Sequence, residues 1–230
     1  MPSSAITLVY LASIWVLPLV IAITFHEAAH GWVANRLGDD TARRMGRVTF
    51  NPLRHIDPVG TVLLPALLIV FGAPFVFGYA KPVPVNFARL HHPKRDMVWV
   101  ALAGPAVNLA LALAAGALYH LVPYFSPWLG RWIAHNLENA LLINVVLAVF
   151  NMLPLPPLDG GRVLTGLLPV SLAVPFARIE RFGMPILITL LFVLPFVGRE
   201  IGVNLNLIAW VLGPPINALL SVVLTVTGHG

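Results

Sequence analysis

Residues 5–30 read AITLVYLASIWVLPLVIAITFHEAAH. No Asp, Glu, Lys or Arg precedes Glu27, and the first basic residue is Arg36. About 20 predominantly apolar residues are enough to cross the hydrocarbon core of a bilayer, so the stretch reads as a spanning helix. A cleaved signal peptide usually has a shorter apolar core behind a basic leader. Here the run is longer, no basic leader precedes it, and it passes directly into His26. It is therefore expected to stay as the first span.

Composition agrees with that reading. Of the 230 residues, 58% are apolar or aromatic and 10% are charged, against about 25% charged in ordinary soluble domains. Such a chain cannot cover its surface with polar groups in water and must be solvated by lipid. The formal charge of +5, from 14 Lys and Arg against 9 Asp and Glu, fits basic residues flanking spans on the cytoplasmic side. It does not argue for a nucleic-acid partner. The chain has no cysteine, which excludes disulfides and thiolate metal sites. Residues 1–230 are expected to form one membrane-embedded unit.

Further apolar stretches fall at 97–121, 137–153, 182–197 and 205–226. Residues 61–77 are also apolar, but Pro65, Gly72 and Pro74 interrupt them. Arg43, Arg44, Arg47 and Arg54 lie before this segment, and Lys81, Arg89, Lys94 and Arg95 after it. A full crossing would leave one basic cluster outside, so a re-entrant or membrane-inserted segment is expected. The fold class is an all-α polytopic membrane protein. It has about five to six transmembrane helices, the inserted segment and a short β-prone stretch, 83–86. The N-terminus is placed outside and the C-terminus inside. An outer loop at 123–136 carries Trp128 and Trp132 at the interface.

His26 and His30 are four residues apart in a helical segment, which puts both imidazoles on one face. Two such nitrogens can hold one Zn²⁺ at about 2.0–2.1 Å each. Glu27 points about 100° away round the helix and can reach water beside the metal without being a ligand. This is the H-E-x-x-H arrangement. Ionisable groups in an apolar span are costly and are normally paired or functional.

Catalytic zinc usually takes a third protein ligand. Asp39, Asp40, Asp57, Asp96, Glu138, Glu180 and Glu200 read as solvated surface charges, most of them beside Lys or Arg. Asp159 stands apart, in F-N-M-L-P-L-P-P-L-D-G-G-R at 150–162. Pro154, Pro156 and Pro157 preclude regular helix there, and Gly160 and Gly161 permit unusual backbone. A carboxylate at such a break suits an ion site. His55 and Asp57 are competing ligands, ranked lower because they lie in the basic loop.

With H-E-A-A-H early and N-M-L-P-L-P-P-L-D-G-G late, the sequence resembles the site-2 protease family of intramembrane zinc metalloproteases. The family's Asn-x-x-Pro…Asp-Gly pattern is met by Asn151, Pro154, Asp159 and Gly160. A-G-P-A-V-N at 103–108 and N-P-L-R-H-I-D-P-V-G-T at 51–61 also look like family elements. The resemblance implies one zinc per chain held by His26, His30 and Asp159, with Glu27 as the catalytic acid/base. It implies Asn151 as a contact to substrate backbone or oxyanion. Asn108 is read either in that role or as an interhelical hydrogen bond beside Gly104. No stretch is long enough for the PDZ or CBS domain of larger members, so substrate selection by such a domain is not expected. The substrate would be a single-span or other membrane protein, cut within or near its span. The V-P-V-N stretch could pair with it as a strand, or be a plain interfacial loop. The rival functions are a metal-ion transporter and a catalytically silent zinc-binding protein.

Overall fold

The computed structural model describes residues 4–63, 67 and 80–230. Most of the expected inserted segment, 64–66 and 68–77, lies outside the described residues. The eight α-helices named here are α1 (Ser4–Arg36), α2 (Thr41–Arg44), α3 (Pro93–Tyr119), α4 (Pro127–Asn151), α5 (Asp159–Leu167), α6 (Val170–Ala177), α7 (Glu180–Glu200) and α8 (Leu207–Val226). Among the described residues no strand occurs. Five helices, α1, α3, α4, α7 and α8, are long and apolar enough to cross a membrane. The chain is an all-α, multi-pass membrane protein.

Helix α3 is central and packs against α1, α4 and α5. Small residues allow these close approaches. A side chain at Gly166 would run into Val98 and Lys94, so α5 can lie directly on α3. Ala112, Val145 and Val223 form a fully buried cluster joining α3, α4 and α8.

The sequence reading is corrected in four places. First, α4 starts at Pro127, ten residues before the apolar run expected at 137–153. Proline at the first helical position has no N–H to leave unsatisfied, and its φ suits helix. The polar residues that hid this first half bond to α1. Trp132 Nε1 donates to Ser13 Oγ at 2.9 Å, and, just past that half, Asn139 Nδ2 donates to the Ile14 carbonyl at 2.8 Å. Tyr10 Oη lies 2.7 Å from His135 Nδ1.

Second, the C-terminus does not lie at the end opposite the N-terminus. His120 Nε2 is 2.6 Å from the Thr227 carbonyl, and His229 Nε2 is 2.9 Å from that of Gly116. Helix α8 therefore runs parallel to α3, and its last turn shares the bundle end where α1 begins. At the other end Val211 and Leu212 share a cavity with Met152, Leu153 and Pro154. The chain from 152 to 206 thus starts and finishes at one end, and α7 adds no net crossing. Hydropathy identifies a span but carries no sign of its direction.

Third, Asp39 and Asp96 are fully buried rather than solvated. Their carboxylates are satisfied by backbone donors: Asn86 N–H at 2.6 Å on Asp39 and His92 N–H at 2.8 Å on Asp96. Fourth, the β-prone stretch carries no regular secondary structure. Pro82 and Pro84 lack the N–H groups that a ladder needs.

Candidate metal centre

The first turns of α5 are brought up against the middle of the bundle. The chain leaves α4 at Asn151 and passes through 152–158, including a cis Pro156–Pro157 bond. It then folds back so that Asp159 opens α5. A side chain on Gly160 would collide with the Met152 and Leu153 carbonyls, and one on Gly161 with the backbone of Leu155 and Pro156. The two glycines let the loop close tightly enough to carry Asp159 to α1.

The structure brings together His26, His30 and Asp159, all buried, with one potential ligand atom from each within 4.8 Å of the others. Among the described residues they form the one such group of three or more. The two Nε2 atoms are 3.0 Å apart. Asp159 Oδ2 is 3.2 Å from His26 Nε2 and 3.3 Å from His30 Nε2. That oxygen is buried without a hydrogen-bond partner.

The outer nitrogens decide what the inner ones can be. His30 Nδ1 is 2.7 Å from the Val100 carbonyl, which can only accept. His26 Nδ1 is 2.5 Å from Asn108 Oδ1. The Asn108 orientation is itself set, because its Nδ2 donates to Asn144 Oδ1 at 2.8 Å and faces the Ala22 carbonyl at 3.4 Å. Each imidazole thus carries its proton on Nδ1 and turns a lone pair inward. Two lone pairs and a carboxylate oxygen converge on one point, which is unfavourable unless a cation sits there. Ligands at about 2.0–2.1 Å round a tetrahedral zinc lie about 3.3 Å apart, close to the separations seen. The residues fit zinc.

Gly104 on α3 lies against this centre. A Cβ there would be 2.5 Å from His26 Nε2 and from His30 Nε2. Gly104→Ala is expected to displace the imidazoles and lower zinc content well below one per chain. Metal analysis of the purified variant checks this, and full occupancy would contradict the packing argument.

Glu27, half-buried, does not join the triad. Its Oε2 accepts the Val83 N–H at 2.7 Å, while Oε1 makes no hydrogen bond among the described residues. Asn108 is fully buried, and its amide is committed to His26, Asn144 and Ala22. Of its two readings this geometry favours the interhelical hydrogen bond, with the added task of fixing the His26 tautomer. Asn151 ends α4 with Nδ2 bonded to the Leu147 carbonyl at 3.0 Å and makes no hydrogen bond to the triad. His55 is buried with Nε2 3.0 Å from the Thr49 carbonyl, and neither it nor Asp57 joins the group. Sequence reading placed Val83 in a stretch that could meet substrate, not on Glu27, and did not find Val100 or Asn144. Their contributions are a backbone N–H, a backbone carbonyl and an amide, none of which leaves a local pattern.

A family model described as Peptidase family M50 matches residues 128–194, which include Asn151 and Asp159. YwhC of Bacillus subtilis (strain 168), provisionally named a zinc metalloprotease, is 39% identical over 184 residues, 78% of this chain and 80% of that protein. Rip2 of Mycolicibacterium smegmatis, under the same provisional name, is 30% identical over 178 residues, 75% of this chain and 64% of its own. MJ0611 of Methanocaldococcus jannaschii, likewise named, is 34% identical over 145 residues, 61% of this chain and 63% of its own. The chain thus spans slightly under two thirds of the latter two. No solved structure matches it. The chain belongs to peptidase family M50, the site-2 proteases. It is a membrane-embedded zinc metalloprotease.

Proposed function

We propose that His26, His30 and Asp159 hold the zinc and that Glu27 is the acid/base. The bonds cut are peptide bonds within or near the membrane span of protein substrates. The observation that carries this is the convergence of two inward lone pairs and an unpartnered carboxylate oxygen on one buried point. A transporter would use a metal site too, but the family is one of peptidases, and Glu27 beside the ligands is what hydrolysis requires.

Zinc, when bound, supplies a Lewis acid that lowers the pKa of water and polarises a carbonyl. Glu27 takes the proton of the attacking water and returns it to the leaving amine nitrogen. With Oε2 held by Val83, Oε1 is the oxygen left to do so. Asn108 and the Val100 carbonyl keep both imidazoles in the ligating tautomer. Asn151, at the mouth of the Asp159 loop, binds substrate backbone or the developing oxyanion through Oδ1. A substrate helix must unwind to expose its carbonyl, and residues 83–86, which carry no regular secondary structure and touch Glu27 through Val83, lie where it would pass.

Purified protein in liposomes is expected to cut a single-span fusion protein within or beside its span. Chelation should abolish cleavage, and about one zinc per chain should restore it. Zinc crossing the membrane without cleavage would favour the transporter instead. The N-terminus is outside and the site faces the cytoplasm, a reading supported by the basic residues gathered near the site end of the bundle. Single cysteines at Arg54 and Arg89 should then react with an impermeant reagent from the cytoplasmic side, and one at Val226 from outside. Any other pattern requires the topology to be redrawn.

A further inference from the structure

Arg47 is buried at 8% exposure, yet it pairs with no carboxylate among the described residues. Its Nη2 donates instead to the Lys81 carbonyl at 2.7 Å and lies 3.3 Å from that of Pro82. Burying a guanidinium without a counter-charge is costly, so the interaction needs a reason beyond packing. The residues it grips lead directly into Val83.

Three residues after Val83, at Asn86, Asp39 closes the other end. It is fully buried and its Oδ2 accepts the Asn86 N–H at 2.6 Å. Its Oδ1 accepts the Thr41 hydroxyl at 2.5 Å and the Thr41 N–H at 3.1 Å. Burial pushes the Asp39 carboxyl up, but these three hydrogen bonds, with Arg89 nearby, hold it below the ordinary carboxylate range. Between the two clamps runs Pro82-Val83-Pro84. Proline has no N–H, so across these three residues Val83 has the single backbone donor, and that donor is given to Glu27. Val83 is buried, and a Cβ on Gly31 would meet its Cγ1 at 3.0 Å, so the segment lies directly on α1 one turn beyond Glu27.

We propose that Arg47 and Asp39 are positioning residues for the reaction: they hold the Lys81–Asn86 segment taut so that the lone Val83 N–H fixes the Glu27 carboxylate. This rests on the reading of Glu27 as the acid/base. In it the segment has a duty toward the enzyme's own machinery, separate from any pairing with substrate.

The test uses the full chain loaded with zinc, in liposomes, with a single-span fusion protein as substrate. Arg47→Met should lower kcat about 10- to 100-fold, the scale of a hydrogen bond to a charged group, with KM and zinc content near wild type. Arg47→Lys, which keeps the charge and one donor direction, should recover part of kcat. In a Glu27→Gln background, Arg47→Met should cost little more, because interacting residues are non-additive. Thermal melting of each variant shows whether a loss is only unfolding. If the Arg47 and Glu27 losses multiply, or if KM rises while kcat holds, the proposal is overturned and the assignment of Glu27 stands. If Glu27→Gln itself cuts at the wild-type rate, the assignment of Glu27 fails first, whatever Arg47 does.

Discussion

Replacing Glu27 with Gln is expected to leave zinc bound and to slow cleavage by about 10²–10⁴-fold, the usual contribution of general acid–base catalysis. Zinc should stay because the three atoms converging on the site come from His26, His30 and Asp159. Glu27 is engaged elsewhere, with Oε2 on the Val83 N–H. The amide oxygen of Gln can keep that hydrogen bond, so the local backbone should not move. What is lost, on the proposed mechanism, is the ability to take the water's proton and hand it to the leaving nitrogen. Single-turnover cleavage of a single-span substrate, with metal analysis on the same sample, reads both quantities. A substrate that accumulates uncut on a zinc-loaded variant fits the enzyme reading. Wild-type cleavage by Glu27→Gln would remove the mechanism outright, and loss of zinc would mean that Glu27 supports the metal.

The parts of this centre that were legible in the sequence are those with a local signature. His26 and His30 share a helix face by spacing alone, and Asp159 was marked by the prolines and glycines around it. The surrounding support was not legible, because it depends on residues far apart in the chain. Asn108 is 82 positions from His26, and Val83 is 56 from Glu27. Asp39 and Asp96 misled for a related reason. Charged neighbours suggested solvent, but each acid is buried against backbone N–H groups that no composition reveals. The early start of α4 was hidden because Trp132 and His135 carry polar groups yet face α1. The parallel course of α8 was hidden because an apolar stretch reads alike in both directions.

Replacing Asp159 with Ala is expected to empty the site. Outer-shell partners alone typically account for about 10–100-fold in metal affinity, so losing a direct ligand should cost more than about 100-fold. The remaining His26 and His30 would still be held, since Asn108 and the Val100 carbonyl fix them independently of Asp159. The fold should therefore survive. The burial of α5 also depends on Gly160, Gly161 and Gly166, which the substitution leaves in place. Two neutral imidazoles with lone pairs 3.0 Å apart are a poor arrangement by themselves, so the rings are expected to move slightly apart while keeping their outer hydrogen bonds. The protein should purify as a folded membrane protein with little zinc after dialysis and no measurable cleavage. Asp159→Asn, which keeps an oxygen but not the charge, should retain weak zinc binding that excess metal can restore. Equilibrium zinc titration against a competing chelator separates the three proteins. Unchanged affinity in Asp159→Ala would show that another group, His55 or Asp57 among the candidates, completes the site.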